Sequence, residues 1–552
     1  MKRPMMRILI VSIMVVAALT RTNAQQERKI KPPNQSVGKT SQTTLAAILN
    51  INNFTIWQQA HGRGAYPPNN AGDGGVYPRG TRWVIFADGF VWAAKAYVDP
   101  AHTIAAPVQL IRVGGSTYNV GNEVGWIEGE GPNARGIGPA DPRARIYRIR
   151  RDWTTMSKDE LRRDAAENNL IPLNDVTEAD WDEWPVEHGA PYIERNGIPG
   201  YQKPPTPSPP SFTPDMLITK SFDEPGIAGP ETDFTADQVI WCAFNDLNRG
   251  NLIGFTGSEP IGLELQMTLW GYKQHGAMGE MYFKRLLLIN KGGADISGGE
   301  KGFLWLDSMF VGMWSDPDIG YFGDDLVGCD SVLGIGYAYT GRTTDAEFDK
   351  FLLPPPAAGY AYLQGGLVPS EGDTAIFDLK PRAGYRNLPM TSFALPVFAT
   401  QADYPYGVEL SRRWWRVLQG YVPDPSGSPW RLFPHPPGFP ITKFPFSGNP
   451  VTGTGFIDGL GTDYSPPPGD RRLLVNTGPF QLAPLDTQEV VVAVVGGMGS
   501  DRLSSITVMK ANVQVAHLAY QSLFTTPRAP RAPRVMAVEL DGQIILEWGS
   551  NP

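Results

Sequence analysis

Cysteine is nearly absent from this 552-residue chain, which contains only Cys242 and Cys329. A fold held together by a disulfide framework needs more cysteines than this, so that class of small scaffold is excluded. The two thiols either pair or remain as separate buried side chains. Both alternatives stay open, because a disulfide requires a Cα–Cα distance of about 4.4–6.8 Å that a sequence does not supply.

Local catalytic motifs are missing as well. The chain contains no G-x-S-x-G elbow, no H-E-x-x-H zinc motif and no glycine-rich phosphate loop. Its six histidines are far apart, without the short spacing of a metal-ligand pair. A site assembled from distant residues stays open, but no short motif predicts one.

Charged residues are scarce, at 19% of the chain, and they are mainly acidic, with 48 Lys and Arg against 56 Asp and Glu. An acidic protein has no electrostatic attraction to nucleic acid or to an anionic membrane surface. We therefore expect neither partner. Carbohydrate or another surface protein remains compatible with this composition.

The first 24 residues predict export. Lys2, Arg3 and Arg7 precede an apolar run over residues 8–19, and Ala24 ends a segment of small residues. This pattern is typical of a secretory signal peptide, and the run is shorter than the roughly 20 residues needed to span a bilayer. No later run of that length follows, so the sequence predicts a secreted or cell-surface bacterial protein without a transmembrane segment.

Glycine, proline and tryptophan are abundant, with 61, 51 and 15 residues respectively. Many turns together with aromatic packing favour a mainly β protein, and we expect antiparallel β-sandwich domains with a few inserted helices. Five strands are predicted between residues 237 and 340, at 237–246, 261–272, 280–292, 302–314 and 332–341. Within 263–269 apolar and polar residues alternate, which predicts one buried and one solvated face.

Helices are predicted at 155–169, from Thr177, at 408–420 and at 504–524. The first carries a capping box in which Ser157 precedes Glu160 by three residues. The segment around Asp246 and Asn248 is predicted to be a turn. The expected organisation is a signal peptide (1–24), a flexible segment (25–52), a β-rich region with a helical insertion (53–202), a Pro-rich segment (203–214), a β-sandwich region with a C-terminal helix (215–525), and a hinge followed by two strands (526–552).

Residues 314–330, WSDPDIGYFGDDLVGCD, concentrate acidic side chains between two predicted strands. Ca²⁺ is bound by six to eight oxygen atoms, and a bound cation would relieve the repulsion among neighbouring carboxylates. The predicted ligands are Asp316, Asp318, Asp324, Asp325 and Asp330. A structural turn bonded to its own backbone and a set of catalytic acids are the alternatives.

The register excludes an EF-hand. Asp316, Asp318 and Gly320 give a D-x-D-x-G start, but Tyr321 occupies the position of the invariant glycine and Val327 that of the bidentate glutamate. A calcium site here would therefore have its own geometry.

A second acidic segment, DWDEWP, contains Trp181, Asp182, Glu183 and Trp184. Two carboxylates beside tryptophan faces are what a glycosidase or a carbohydrate-binding site uses. The alternative is a short helix with solvated acids above core tryptophans.

Several segments resemble large uncharacterised exported bacterial proteins that carry fibronectin type III modules and a C-terminal type IX sorting domain. They are WSDPDIGYFGDDLVGCDSVLGIGYAY, DWDEWPVEHGAPY, LINKG and RRLLVNTGPFQLAPLDTQEVVVAVVGG. The final VMAVELDGQIILEW resembles the opening of a fibronectin type III module, of which about a quarter is present, so we expect the chain to stop inside a domain.

These features favour a non-enzymatic surface, matrix or adhesin-like protein stabilised by calcium. A secreted carbohydrate-active hydrolase or carbohydrate-binding protein is the alternative.

Overall fold

The computed structural model describes residues 45–68, 74–152, 156–167, 183–185, 188–191, 235–395, 408–423, 429–462, 465–524, 534–540 and 543–549. Two antiparallel sheets face each other, and helices cover their outer faces. The prediction of a mainly β, sandwich-like fold with a few helices is confirmed.

The larger sheet has nine strands in the order β10-β11-β12-β13-β24-β19-β18-β17, with β7 beside β11. Strands are numbered in chain order throughout. The members of this sheet are β7 (Glu123–Val124), β10 (Tyr147–Arg150), β11 (Gln238–Asn245), β12 (Leu263–Gly271), β13 (Met281–Asn290), β17 (Asp325–Asp330), β18 (Ile335–Thr340), β19 (Ala357–Gln364) and β24 (Thr487–Gly497).

The smaller sheet has five strands in the order β22-β23-β16-β5-β6. They are β5 (Ala87–Tyr97), β6 (Ile111–Gly115), β16 (Trp305–Asp316), β22 (Ser392–Ala394) and β23 (Leu473–Leu482). The five strands predicted between residues 237 and 340 are confirmed as β11, β12, β13, β16 and β18.

The remaining strands form two-stranded antiparallel pairs. They are β1 (Ala46–Leu49) with β2 (Ile56–Gln59), β3 (Gly75–Val76) with β4 (Trp83–Ile85), β8 (Ile127–Glu128) with β9 (Arg135–Gly136), β14 (Ala294–Ser297) with β15 (Glu300–Gly302), β20 (Leu367–Phe377) with β21 (Lys380–Asn387), and β25 (Arg534–Leu540) with β26 (Gln543–Gly549). The last pair contains the two predicted C-terminal strands. Its assignment to a fibronectin type III module stays a prediction.

The described α-helices are α1 (Lys158–Glu167), α2 (Arg249–Thr256), α3 (Val408–Leu418) and α4 (Arg502–Gln521). Three of them match predicted helices, and the Ser157–Glu160 capping box before α1 is present. Helix α2 was missed, because Asn248 caps it where a turn was expected. The helix predicted from Thr177 lies outside the described residues. No described helix is long and apolar enough to cross a membrane.

The core lies between the sheets. Tyr362 of β19 donates its hydroxyl proton to the Val311 carbonyl of β16, 3.0 Å away, and Gly336 of β18 lies against Phe393 of β22. Helix α4 packs on the outer face of β24 and β19, and Phe524, just after the helix, contacts Phe283 edge to face. Aromatic side chains therefore fill both the space between the sheets and the space under the helix.

The predicted solvated face of β12 is wrong. Glu264, Gln266 and Thr268 are buried like the apolar residues between them. Other segments of the chain cover this face of β12. Glu264 accepts a hydrogen bond from the Ile127 amide, and Gln266 donates one to the His188 carbonyl. Glu264 and Gln266 can be buried because each has a specific hydrogen-bond partner.

The predicted regions 53–202 and 215–525 contribute strands to the same sheets, because β5 pairs with β16 and β10 pairs with β11. The residues of 53–202 and 215–525 that the structure describes thus form one sandwich. Strand β1 lies inside the segment 25–52 that was expected to be flexible, so the end of that segment is ordered. Residues 1–44 and the Pro-rich segment 203–214 lie outside the described residues.

Candidate metal centre

The predicted acidic loop is shorter in the structure than in the sequence-based expectation. Asp316 is the last residue of β16, while Asp325 and Asp330 are the first and last residues of β17. Only residues 317–324 connect the two strands, and they end in a 3₁₀ turn at Phe322–Asp324. The five aspartates therefore cannot all face one point, because Asp325 and Asp330, at the two ends of the six-residue strand β17, point to opposite faces of the sheet.

The connection is anchored at Gly320. This residue has a φ of +70°, and a Cβ atom there would lie 2.1 Å from the Asp345 carboxylate, so the position requires glycine. Its carbonyl accepts a hydrogen bond from the Trp83 indole nitrogen at 2.7 Å. The Asp345 carboxylate also accepts a hydrogen bond from the Tyr321 amide at 2.9 Å. These bonds fix the direction in which the residues before Gly320 face.

Two of the predicted ligands and one unpredicted residue converge. One carboxylate oxygen from each of Asp316, Asp318 and Asp470 lies within 4.8 Å of the other two. Asp316 and Asp318 are buried, and Asp470 is exposed. Asp470 comes from the segment just before β23, which pairs with β16 and so places a distant part of the chain beside the turn. This acidic triad, Asp316, Asp318 and Asp470, could hold a metal ion.

Tyr118 and Arg472 border the triad on one side. The Tyr118 hydroxyl donates to Asp316 Oδ2 at 2.7 Å and accepts from Arg472 Nε at 2.7 Å. Arg472 also forms ion pairs with Asp470 at 3.0 Å and with Asp316 at 3.6 Å. Burial disfavours the charge of Arg472, but Asp316, Tyr118 and Asp470 outweigh burial and raise its pKa. One positive charge therefore pairs with two of the three carboxylates of the triad.

Asp325 adds a fourth carboxyl group next to the triad. Its side chain is fully buried, its Oδ1 accepts the Ile319 amide at 3.2 Å, and its Oδ2 has no hydrogen-bond partner among the described residues. Burial, followed by the charges of Asp318, Asp324 and Asp470, raises the pKa of Asp325 well above its usual range. The triad is thus flanked by the Arg472 guanidinium on one side and by the buried Asp325 carboxyl group on another.

The structure places Asp324 and Asp330 apart from the triad, in interactions of their own. Asp324 accepts the Thr340 hydroxyl at 2.9 Å and pairs with Arg342 at 3.1 Å. Asp330 pairs with Lys510 of α4 at 2.9 Å, and its Oδ1 accepts backbone amides of the following turn. Among these five aspartates, Asp330 shows the bonding of a structural turn.

Oxygen ligands alone select hard cations such as Ca²⁺ and Mg²⁺ rather than zinc or copper. The carboxylate oxygens of Asp316, Asp318 and Asp470 all lie within 4.8 Å of one another and therefore fit a hard divalent cation such as Ca²⁺ or Mg²⁺.

The DWDEWP residues are only partly described. Trp181 and Asp182 lie outside the described residues. Glu183 is exposed and pairs with Arg145 at 2.9 Å. Trp184 is buried, donates its indole N–H to the Pro191 carbonyl at 2.9 Å, and therefore presents no ring face to a sugar. The carbohydrate site stays a prediction that rests on the two residues outside this range.

The two cysteines do not pair. Cys242 and Cys329 are both free and buried, and burial raises the pKa of each thiol. They act as small core side chains, which decides between the two alternatives that the sequence left open.

Neither protein-family profiles nor curated proteins give a match to this chain. The resemblance to exported proteins with type IX sorting domains therefore stays a prediction.

Proposed function

We propose that the chain is an exported, non-enzymatic β-sandwich protein of the bacterial cell surface or extracellular matrix, with Ca²⁺ bound by Asp316, Asp318 and Asp470. The observation that carries this proposal is the convergence of these carboxylates beside the buried Asp325. A divalent cation would reduce the repulsion among the carboxylates that converge in the triad. It would also tie the β16–β17 connection to the segment before β23.

The burial of the triad supports a structural role over a catalytic one. Glycoside hydrolysis needs two carboxyl groups about 5–10 Å apart on either side of an accessible bond. Here Asp316 and Asp318 are 2% and 1% exposed, and only Asp470 reaches solvent. A substrate cannot contact two of these three groups, whereas an ion can be enclosed by all of them.

Calcium-dependent unfolding tests the proposal. The full chain is stripped with EGTA and its melting temperature is measured in chelator, in Ca²⁺ and in Mg²⁺, with calorimetric titration of Ca²⁺ for the stoichiometry. At 100 times the dissociation constant, a ligand that binds only the folded state stabilises it by about 2.7 kcal/mol. We expect a rise of about 3 °C with Ca²⁺ and a smaller one with Mg²⁺.

Asp470→Asn removes the exposed ligand and should abolish the calcium response, and its position on the surface makes it the mildest substitution of the triad. The matched control is Asp373→Asn, an exposed carboxylate on β20 whose partner is the Ser370 hydroxyl. The control should respond to Ca²⁺ like the unmodified chain. Equal melting temperatures in chelator and Ca²⁺, with no heat of titration, would exclude the calcium site.

A further inference from the structure

A buried lysine and a buried aspartate meet between the two sheets. Lys284 lies on β13 of the larger sheet, and Asp88 lies on β5 of the smaller one. Lys284 Nζ and Asp88 Oδ1 are 2.5 Å apart, and the side chains are 1% and 0% exposed. The pair is thus a direct side-chain connection between facing sheets, away from water.

Hydroxyl groups surround the carboxyl group of Asp88. Tyr360 of β19 donates to Asp88 Oδ2 at 3.1 Å and accepts from the Ser315 hydroxyl at 2.9 Å. The Tyr282 hydroxyl, whose pKa is raised by burial and then by Asp88, has no hydrogen-bond partner among the described residues. One oxygen of Asp88 therefore faces the amine, while the other is polarised by a phenol.

Gly64 closes the remaining side of the pair. Its amide donates to the Asp88 carbonyl at 2.9 Å, and its carbonyl accepts the Asp88 amide at 3.1 Å. A Cβ atom at this position would lie 2.1 Å from Asp88 Oδ1 and 2.7 Å from Lys284 Nζ. Backbone without a side chain therefore presses directly on the pair and excludes water from it.

We propose that Lys284 and Asp88 condense to an intramolecular isopeptide bond that covalently joins the two sheets. The first step is transfer of a proton from the Lys284 ammonium to the Asp88 carboxylate along their hydrogen bond, which gives a neutral amine and a neutral carboxylic acid. The amine nitrogen then attacks Asp88 Cγ, and the C–N bond forms. The Cγ–OH bond breaks and one water leaves with the second amine proton. No electrons are transferred and no co-reactant is needed.

The surroundings favour each step. In a medium of low polarity, two neutral groups are favoured over two charges, and burial lowers the pKa of Lys284 although Asp88 opposes that effect. The Tyr360 hydroxyl stabilises the oxygen that becomes negative in the tetrahedral intermediate. Reactants held in contact reach effective molarities of about 10⁵–10⁸ M, which lowers the barrier to attack of the amine on the carboxylic acid. Tyr360 is therefore assigned as a catalytic residue of this reaction.

Mass spectrometry of the denatured full chain tests the proposal. The expected intact mass is lower by one water than the mass of the same polypeptide without the bond. Trypsin should leave residues 83–95 joined to residues 274–285, because Lys284 no longer has a free amine. A folded chain with the full sequence mass, and with cleavage after Lys284, would overturn the proposal.

Lys284→Arg keeps the positive charge but removes the reactive amine, so it should have the full mass and no joined peptide. Lys291→Arg is the matched control, because Lys291 forms an ion pair with Glu264 at 3.0 Å and is not in contact with Asp88. It should keep the mass deficit of one water. Tyr360→Phe should form the bond more slowly after refolding. If Lys284→Arg does not fold, the mass of the unmodified chain still decides the outcome.

Discussion

Replacing Asp318 by asparagine should have opposite effects with and without calcium. Its nearest carboxylate oxygen lies within 4.8 Å of one from Asp316, and both side chains are buried. At an effective dielectric constant of 20, two like charges at this upper limit of the distance repel by about 3.5 kcal/mol. Asparagine keeps the shape of the side chain but removes this repulsion.

The size of the effect on the melting temperature follows from the number of residues that unfold. Unfolding entropy of about 2.1 cal/mol/K per residue gives roughly 1 °C per kcal/mol for the roughly 400 residues that the structure describes. In EGTA, Asp318→Asn should therefore melt about 3–4 °C higher than the unmodified chain. In saturating Ca²⁺ the unmodified chain gains stability, whereas the variant lacks one ligand and should gain little.

Differential scanning calorimetry of the unmodified chain and of Asp318→Asn, each in EGTA and in Ca²⁺, measures the four melting temperatures. Asp373→Asn provides the control for loss of one surface charge. The reasoning is refuted if Asp318→Asn melts lower than the unmodified chain in EGTA. It is also refuted if the variant retains the full calcium response.

Two further predictions concern the core. Burial and then Arg63 lower the pKa of His61 to about 4, against 6.5 in the unfolded chain. The contribution of His61 to the free energy of unfolding is therefore complete above pH 6.5, and about 3 kcal/mol of it is lost as the pH falls toward 4. Urea unfolding of His61→Gln should depend less on pH in this window, and an unchanged profile would contradict the assignment. Phe524 contacts the rings of Trp270, Phe283 and Tyr272 under α4. Phe524→Ala should therefore lower the free energy of unfolding by about 3–5 kcal/mol. It should also accelerate hydrogen exchange in α4 more than in β13. Uniform acceleration in both elements would contradict a local role.

The strand pattern was predictable because apolar and aromatic runs bounded by glycine and aspartate are local signals. Which strand faces are exposed to solvent was not predictable, because exposure depends on the distant segments that cover each face. Glu264 alternates with leucines as a solvated residue would, yet the Ile127 amide and the Lys291 ammonium satisfy its carboxylate inside the protein. Helix α2 was missed for a related reason, since an asparagine that caps a helix also suits a turn.

Part of the candidate metal centre was predictable in the same way. Clustering of like charges in WSDPDIGYFGDD identified Asp316 and Asp318, but sequence proximity also drew in Asp324 and Asp330, which have other partners. Asp470 lies about 150 residues away and is brought in only by the pairing of β16 with β23. Its local signal was an acidic residue in a proline- and glycine-rich turn immediately before a strand, which is too common to select it.

The two proposed restraints contact neighbouring residues of β16, on opposite faces of that strand. Ser315 points between the sheets toward Tyr360 and Asp88, while Asp316 points to the other side toward Tyr118, as alternation along a strand requires. The isopeptide bond would join β5 to β13, whereas calcium would join the end of β16 to the segment before β23. Because the partners differ, the tests separate: Asp470→Asn should lose the calcium response and keep the mass deficit of one water, and Lys284→Arg should show the reverse.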